Sequence, residues 1–89
     1  MVDFCQQWAD FSYLTMKMRQ DGVPISAAFE AANATHASTG SSEAEVELTR
    51  GIILQAYRLP LEPTERLADV AAIEFSEGHF SSCMSSFEG

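Results

Sequence analysis

Apolar residues recur along the chain every three or four positions and almost nowhere alternate strictly, so the pattern predicts helices rather than strands. In a first segment, from about Phe4 to Gln20, Phe4, Trp8, Phe11, Thr15 and Met18 form one stripe, widened by Cys5, Ala9 and Met16. Asp3 is placed to cap it with Gln6 returning the bond, and Asp21-Gly22 stops it. A short second segment, from about Pro24 to Asn33, starts on a proline suited to a first helical turn, with Ile25, Phe29 and Ala32 on its buried side. The third opens on a capping box of Ser42 and Glu45. Val46, Ile53 and Tyr57 mark one buried line there, and Leu48, Ile52, Ala56 and Leu59 mark another, so this helix is expected to be the most buried. Gly51 within it reads as a close crossing point. Pro60 ends the third segment and Pro63 starts the fourth in its first turn. The fourth should reach at least Cys83, with Val70, Ile73, Phe80, Met84 and Phe87 as its apolar stripe. The expected fold is all-α, a compact bundle of about four helices, one of them short.

Between the second and third segments, residues 33–42 read Asn-Ala-Thr-His-Ala-Ser-Thr-Gly-Ser-Ser. Small polar side chains bury too little apolar area to offset the entropy of ordering, which predicts a flexible loop at about 34–42. With 89 residues there is room for one domain, 1–89, and one modest core.

Charge narrows the range of partners. Thirteen acidic residues against five basic give a net charge of -8. Binding to nucleic acid phosphates requires a basic surface, so direct contact with DNA or RNA is not expected, and an anionic membrane surface would repel the chain. A protein partner remains, either with a basic surface or approached through apolar patches. Met1-Val2-Asp3 lacks a basic start, and Asp10 and Lys17 interrupt the first apolar segment. The expectation is therefore the cytoplasm of a bacterial host, or the periplasm or exterior if a signal peptide has been removed.

Catalytic chemistry is hard to assemble from these residues. His79 and Cys83, four apart on a helix, could supply half of a metal site, but no second pair completes it. His36 falls in the expected loop with no carboxylate placed to orient it. The serines cluster in the loop and the tail, and no glycine-rich phosphate cradle is present. No enzyme, no metal and no cofactor are expected.

Three stretches carry a family resemblance. They are Arg19-Gln20-Asp21-Gly22-Val23-Pro24, then Ile53-Leu54-Gln55-Ala56-Tyr57-Arg58-Leu59-Pro60, then Ile73, Phe75, Phe80 and Cys83. The series resembles a group of small uncharacterised helical proteins of bacteriophages and bacteria. The shared features are an Arg-Gln-x-Gly-Val-Pro turn, an Ala-Tyr-x-x-Pro helix end, and a terminal aromatic followed by cysteine. The resemblance implies a phage or prophage origin and no catalytic residue. The long Ser/Thr stretch before Ser42 departs from that pattern.

Three functions are expected from this reading. The first is a phage-type accessory protein that binds and inhibits a host or viral protein, anchored through Trp8, Tyr13, Met84 or Phe87. The second is an acidic DNA mimic that blocks a nucleic-acid-binding protein such as a defence nuclease, with Glu43, Glu47, Glu62, Glu65, Asp69 and Glu77 as its charged row. The third is a disulfide-clasped, self-assembling structural or exported protein. An apolar stripe broader than one small core would also favour a homodimer. Cys5 and Cys83, near the two ends of the series of helices, are the candidate disulfide pair. In an up-and-down bundle the first and last helices are antiparallel neighbours, which brings these cysteines together whether or not they bond. Reduced, packed thiols are the expectation in a cytoplasm.

Overall fold

The computed structural model describes residues 2–40 and 42–88, with the side chains of Thr39, Phe87 and Glu88 outside that description. Among the described residues the chain forms four helices and no strand: α1 Val2–Gln20, α2 Ile25–Thr39, α3 Glu43–Arg58 and α4 Glu65–Glu88. The all-α bundle expected from periodicity is thus the fold.

Local chemistry sets most of the boundaries. At the end of α1, Gly22 takes φ 81°. Its N–H donates to the Arg19 carbonyl and the Val23 N–H to the Met18 carbonyl, the paired bonds of a Schellman stop. Pro24 lies just outside α2 as its N-cap, one position before the first-turn site the sequence suggests. Ser42 caps α3, with its hydroxyl accepting from the Glu45 N–H and the Glu45 carboxylate returning to the Ser42 N–H. Thr64 starts α4, because its hydroxyl accepts from the Leu67 N–H and its carbonyl from the Ala68 N–H. Pro63 therefore precedes that helix. Gln6 does not cap α1 but donates its side-chain amide to Asp10.

The expected loop is the largest local correction. Residues 34–39 continue α2, and the connection to α3 shrinks to 40–42, of which Ser41 lies outside the described residues. Polar side chains stay helical here because they find local partners. The Thr35 hydroxyl donates to the Ala31 carbonyl, and His36 Nε2 lies 3.1 Å from the Thr49 hydroxyl on α3. Gly40, at φ 67°, then closes the helix by donating to the His36 carbonyl.

Directions follow from the tertiary bonds. Cys5 meets Cys83 and Lys17 meets Asp69, so α1 and α4 are antiparallel. His36 meets Thr49 and the Tyr57 hydroxyl donates to the Val23 carbonyl, so α2 and α3 are antiparallel as well. Arg19 at the end of α1 donates to the Leu59 carbonyl at the end of α3, which makes those two helices parallel. The result is an up-down-up-down bundle with α1 as its spine: α1 packs on each of the other three helices, most extensively on α4.

This overturns the expectation that α3 is the most buried helix. Val46, Leu48, Leu54 and Leu59 on α3 are exposed, while Ile52, Ile53 and Ala56 are buried. The α1–α4 contact uses the residues that widen the first stripe rather than its central line, and departs from the stripe expected on α4. Its buried line on α1 is Cys5, Ala9, Ser12 and Met16, and on α4 Ala72 is fully buried whereas Val70 and Ile73 are 41% and 47% exposed. Ser12 tolerates burial because its hydroxyl donates to the Trp8 carbonyl, as the Thr15 hydroxyl does to Phe11. Small residues let the two backbones approach, and the large ones are displaced to the flanks.

Two apolar clusters fill the interior. Met16, Ala56 and Ala72 form one, and Ala28, Ala32 and Ile53 the other, with Tyr57 packed against both. Polar contacts close the end of the bundle that holds Arg19. Its guanidinium lies 5.6 Å from the centre of the Tyr57 ring. The Gln20 side chain donates to the Pro60 carbonyl and accepts from the Glu62 N–H, fixing the α3–α4 connection. Burial pushes the Tyr57 phenol up from its ordinary pKa, against the opposing pull of Arg19.

Candidate binding clefts beside an aromatic ridge

The first half of α1 turns three aromatic rings to the same side. Phe4 and Trp8 meet edge to face at 5.9 Å, and Trp8 and Phe11 do so at 6.1 Å. Spacings of four and three residues make these side chains one ridge along the helix. Ridge and buried line differ by about a quarter turn, so Phe4 is 38% exposed while Cys5 beside it is fully buried.

A cleft opens on each side of the ridge. One, of about 300 Å³, lies toward α2 and α3, between Trp8, Phe11, Ala32, His36 and Thr49. The other, of about 260 Å³, lies toward α3 and α4, between Trp8, Leu48, Ile52, His79 and Cys83. The surface of both is mostly apolar, with more polar side chains, Gln7, Thr35, His36, Glu45 and Thr49, around the first than the second, a make-up compatible with recognition. Neither is lined by lysine or arginine. In the first cleft His36 contributes a buried polar edge, and its Nδ1 has no hydrogen-bond partner. In the second, His79 packs edge to face on Phe75 at 4.6 Å. Burial lowers the His79 pKa below its ordinary 6.5.

That shift has a sign that can be checked. A depressed folded-state pKa means the unfolded chain takes up the proton first as pH falls. Stability from neutral His79 is therefore complete above 6.5 and is lost as pH falls toward the lowered folded value. Chemical denaturation between pH 7.5 and 5.5 should show a falling midpoint in the parent protein and a shallower fall in His79→Gln. Equal slopes would remove His79 from the account.

The residues singled out from sequence separate into groups. Trp8, like Phe4, lines both clefts. Tyr13 is half-buried against the Met16 cluster and so serves the interior more than a surface. Met84 is half-buried on α4, and the Phe87 side chain lies outside the described residues. The acidic residues do not form one row. Glu43 and Glu47 stand at the start of α3, near the ridge, whereas Glu62, Glu65 and Asp69 border a polar crevice near the start of α4, at the far end of the bundle. Glu77 is exposed further along α4. Asp69 is engaged by Lys17, whose ammonium is held above its ordinary pKa first by that hydrogen bond. Among the described residues no group of three His, Cys, Asp or Glu side chains is arranged to hold a metal ion.

Cys5 and Cys83 are joined by a disulfide, with Cα atoms 5.5 Å apart and 78 residues of separation. The expectation of reduced thiols is corrected here: the close α1–α4 contact brings the two sulfurs within bonding distance. The bond lies beside the second cleft, to whose wall Cys83 belongs. Sequence reasoning missed Leu48, Ile52, His36 and Thr49 as cleft residues. Leu48 and Ile52 read as core, and His36 read as loop.

Together these features define a class: a small acidic helical bundle, clasped by a disulfide, with an aromatic ridge between two apolar clefts. No protein family, curated protein or solved structure matches the chain. No helix is long and apolar enough to cross a membrane among the described residues.

Proposed function

We propose that this protein is a non-catalytic binding protein that docks another protein on the Phe4–Trp8–Phe11 ridge and in its two clefts, and modulates it by occupancy. The supporting observation is the pair of apolar clefts that the chain's own side chains leave open. Accessible surface agrees: the molecule exposes 5791 Å², against about 5,200 Å² for a typical monomer of 9.8 kDa. Trp8, an aromatic with an N–H at the centre of the site, has the character of an interface anchor. A phage or prophage origin, which the sequence resemblance implies, would be compatible with such an accessory role. The DNA-mimic alternative has less support, because its carboxylates are split between the two ends of the bundle.

The disulfide supports an oxidising compartment, the periplasm or the exterior, over the cytoplasm. The acidic surface favours a partner with positive charge around its contact.

Site-specific photocrosslinking tests the reading. A benzophenone side chain at Gln7 or Ser82, each on a cleft wall, should give one discrete protein adduct in producing cells. Excess unmodified protein should compete it away. The same group at exposed Asp10 or Glu30, which line neither cleft, should give none. Equal adducts at all four positions, or no adduct at any, would overturn the proposal.

A further inference from the structure

Two glycines inside helices have no conformational reason to be glycine. Neither Gly51 on α3 nor Gly78 on α4 has positive φ, and a Cβ added at either would meet nothing within 4 Å. Gly51 is therefore not the internal crossing point that its place in the helix suggests. Alanine at both positions would favour the helix, so the folded chain alone does not account for them.

Their placement does. Gly51 follows Leu48 by three residues and Gly78 precedes Ser82 by four, so each shares a helix face with a residue lining the second cleft. The same periodicity puts Leu48, Gly51, Gln55 and Leu59 along one rim, and Leu67, Glu74, Gly78 and Ser82 along the other. Between these rims α3 and α4 scarcely touch, since both pack on α1 rather than on each other. Leu48, Leu59 and Leu67 remain exposed. From Leu48 to Leu59 the rim runs about 16 Å, or about three helical turns.

We infer that this α3–α4 seam receives an amphipathic helix from the partner, its backbone approaching closely at Gly51 and Gly78, with leucine-like anchors in the second cleft and lysine or arginine on its outer face. The inference rests on the binding reading above and names the element that binds. Charge decides against a second copy as the occupant. Each chain carries -8, so two copies repel, whereas a cationic helix is attracted by that net negative charge, with Glu74 on one rim, Arg58 the one cation near the other among the described residues, and no lysine or arginine in the cleft.

The test uses the disulfide-bonded protein and two synthetic 18-residue amphipathic helices with identical leucine faces, one with lysine and one with glutamate on the polar side. Trp8, the single tryptophan, reports binding by its emission. The lysine helix should bind and the glutamate helix should not. Gly51→Ala and Gly78→Ala should each raise the thermal midpoint by about 4 °C or more yet weaken the lysine helix by at least about tenfold. Because the variants gain stability, the loss cannot come from misfolding. Unchanged affinity in both variants, equal binding of both helices, or binding of neither overturns the inference. So does a concentration-dependent dimer in sedimentation that the variants abolish. Discrete crosslinks at Gln7 and Ser82 alongside any of these results would leave the binding reading standing and remove only the helix.

Discussion

Replacing Cys5 and Cys83 together with alanine is expected to lower the unfolding free energy by about 4 kcal/mol. Their bond spans 78 residues, and closing a loop of that size restricts the unfolded chain by roughly that amount in the entropy model. For a domain this small, total stability is on the order of 5–15 kcal/mol. The bond is therefore a large part of the margin, and the thermal midpoint should fall on the order of 20 °C. Reductant added to the parent protein should reproduce the variant's denaturation midpoint. A parent protein indifferent to reductant would show that the polar closure around Gln20 and Arg19, at the other end of α1, holds the bundle by itself.

The second large effect is expected at Met16. This side chain is fully buried and lies between Ala56 on α3 and Ala72 on α4, two of the smallest residues available. Neither alanine can extend into the space Met16 occupies. Met16→Ala should leave a cavity where three helices meet and cost about 3 kcal/mol or more by urea denaturation. Met16→Leu keeps most of the volume and should cost less than about 1.5 kcal/mol. A small loss for Met16→Ala would mean that α1 and α4 close up on the vacated space, and the account of α1 as a rigid spine would fail.

Much of the architecture was legible because punctuation has strong local chemistry. The Ser42–Glu45 capping box and the Gly22 stop follow from short-range rules, and the α1–α4 adjacency of Cys5 and Cys83 from the up-and-down order of the helices. What misled was size. Hydropathy weights large side chains, so Phe4, Val70 and Ile73 stood out, while the contact that organises the bundle runs through Ala9, which was read only at the edge of its stripe, and through Ser12 and Ala72, which were not singled out. A serine or alanine carries little hydropathic signal, yet only such residues allow two helices to approach as closely as the disulfide shows. α2 failed in the opposite way: Thr35 and His36 read as loop because their polar groups were credited with no partner. The partners, Ala31 and Thr49, become apparent only once the helix exists and α3 lies beside it.

The clefts were half legible. Trp8 was visible as a cleft residue because a lone tryptophan beside other aromatics stands out at helical spacing. Leu48 and Ile52 could not be told apart from sequence, since both sit on one apolar line of α3 and only the tertiary packing leaves Leu48 exposed while Ile52 is covered. Gly51 carried a signal that the bundle itself does not take up, since a Cβ there would meet nothing within 4 Å. A glycine in a helix invites a close approach, but the approaching backbone need not belong to the same chain.

The Cys5–Cys83 bond also makes the polypeptide a covalent ring of helices with two short tails. Cutting any one peptide bond within the ring, for example between α2 and α3, changes the order of the termini without releasing a fragment. A protease that reaches the short turn after Gly40 would produce a nicked molecule of unchanged composition apart from one added water. The four helices can therefore survive a break in the backbone as a single particle.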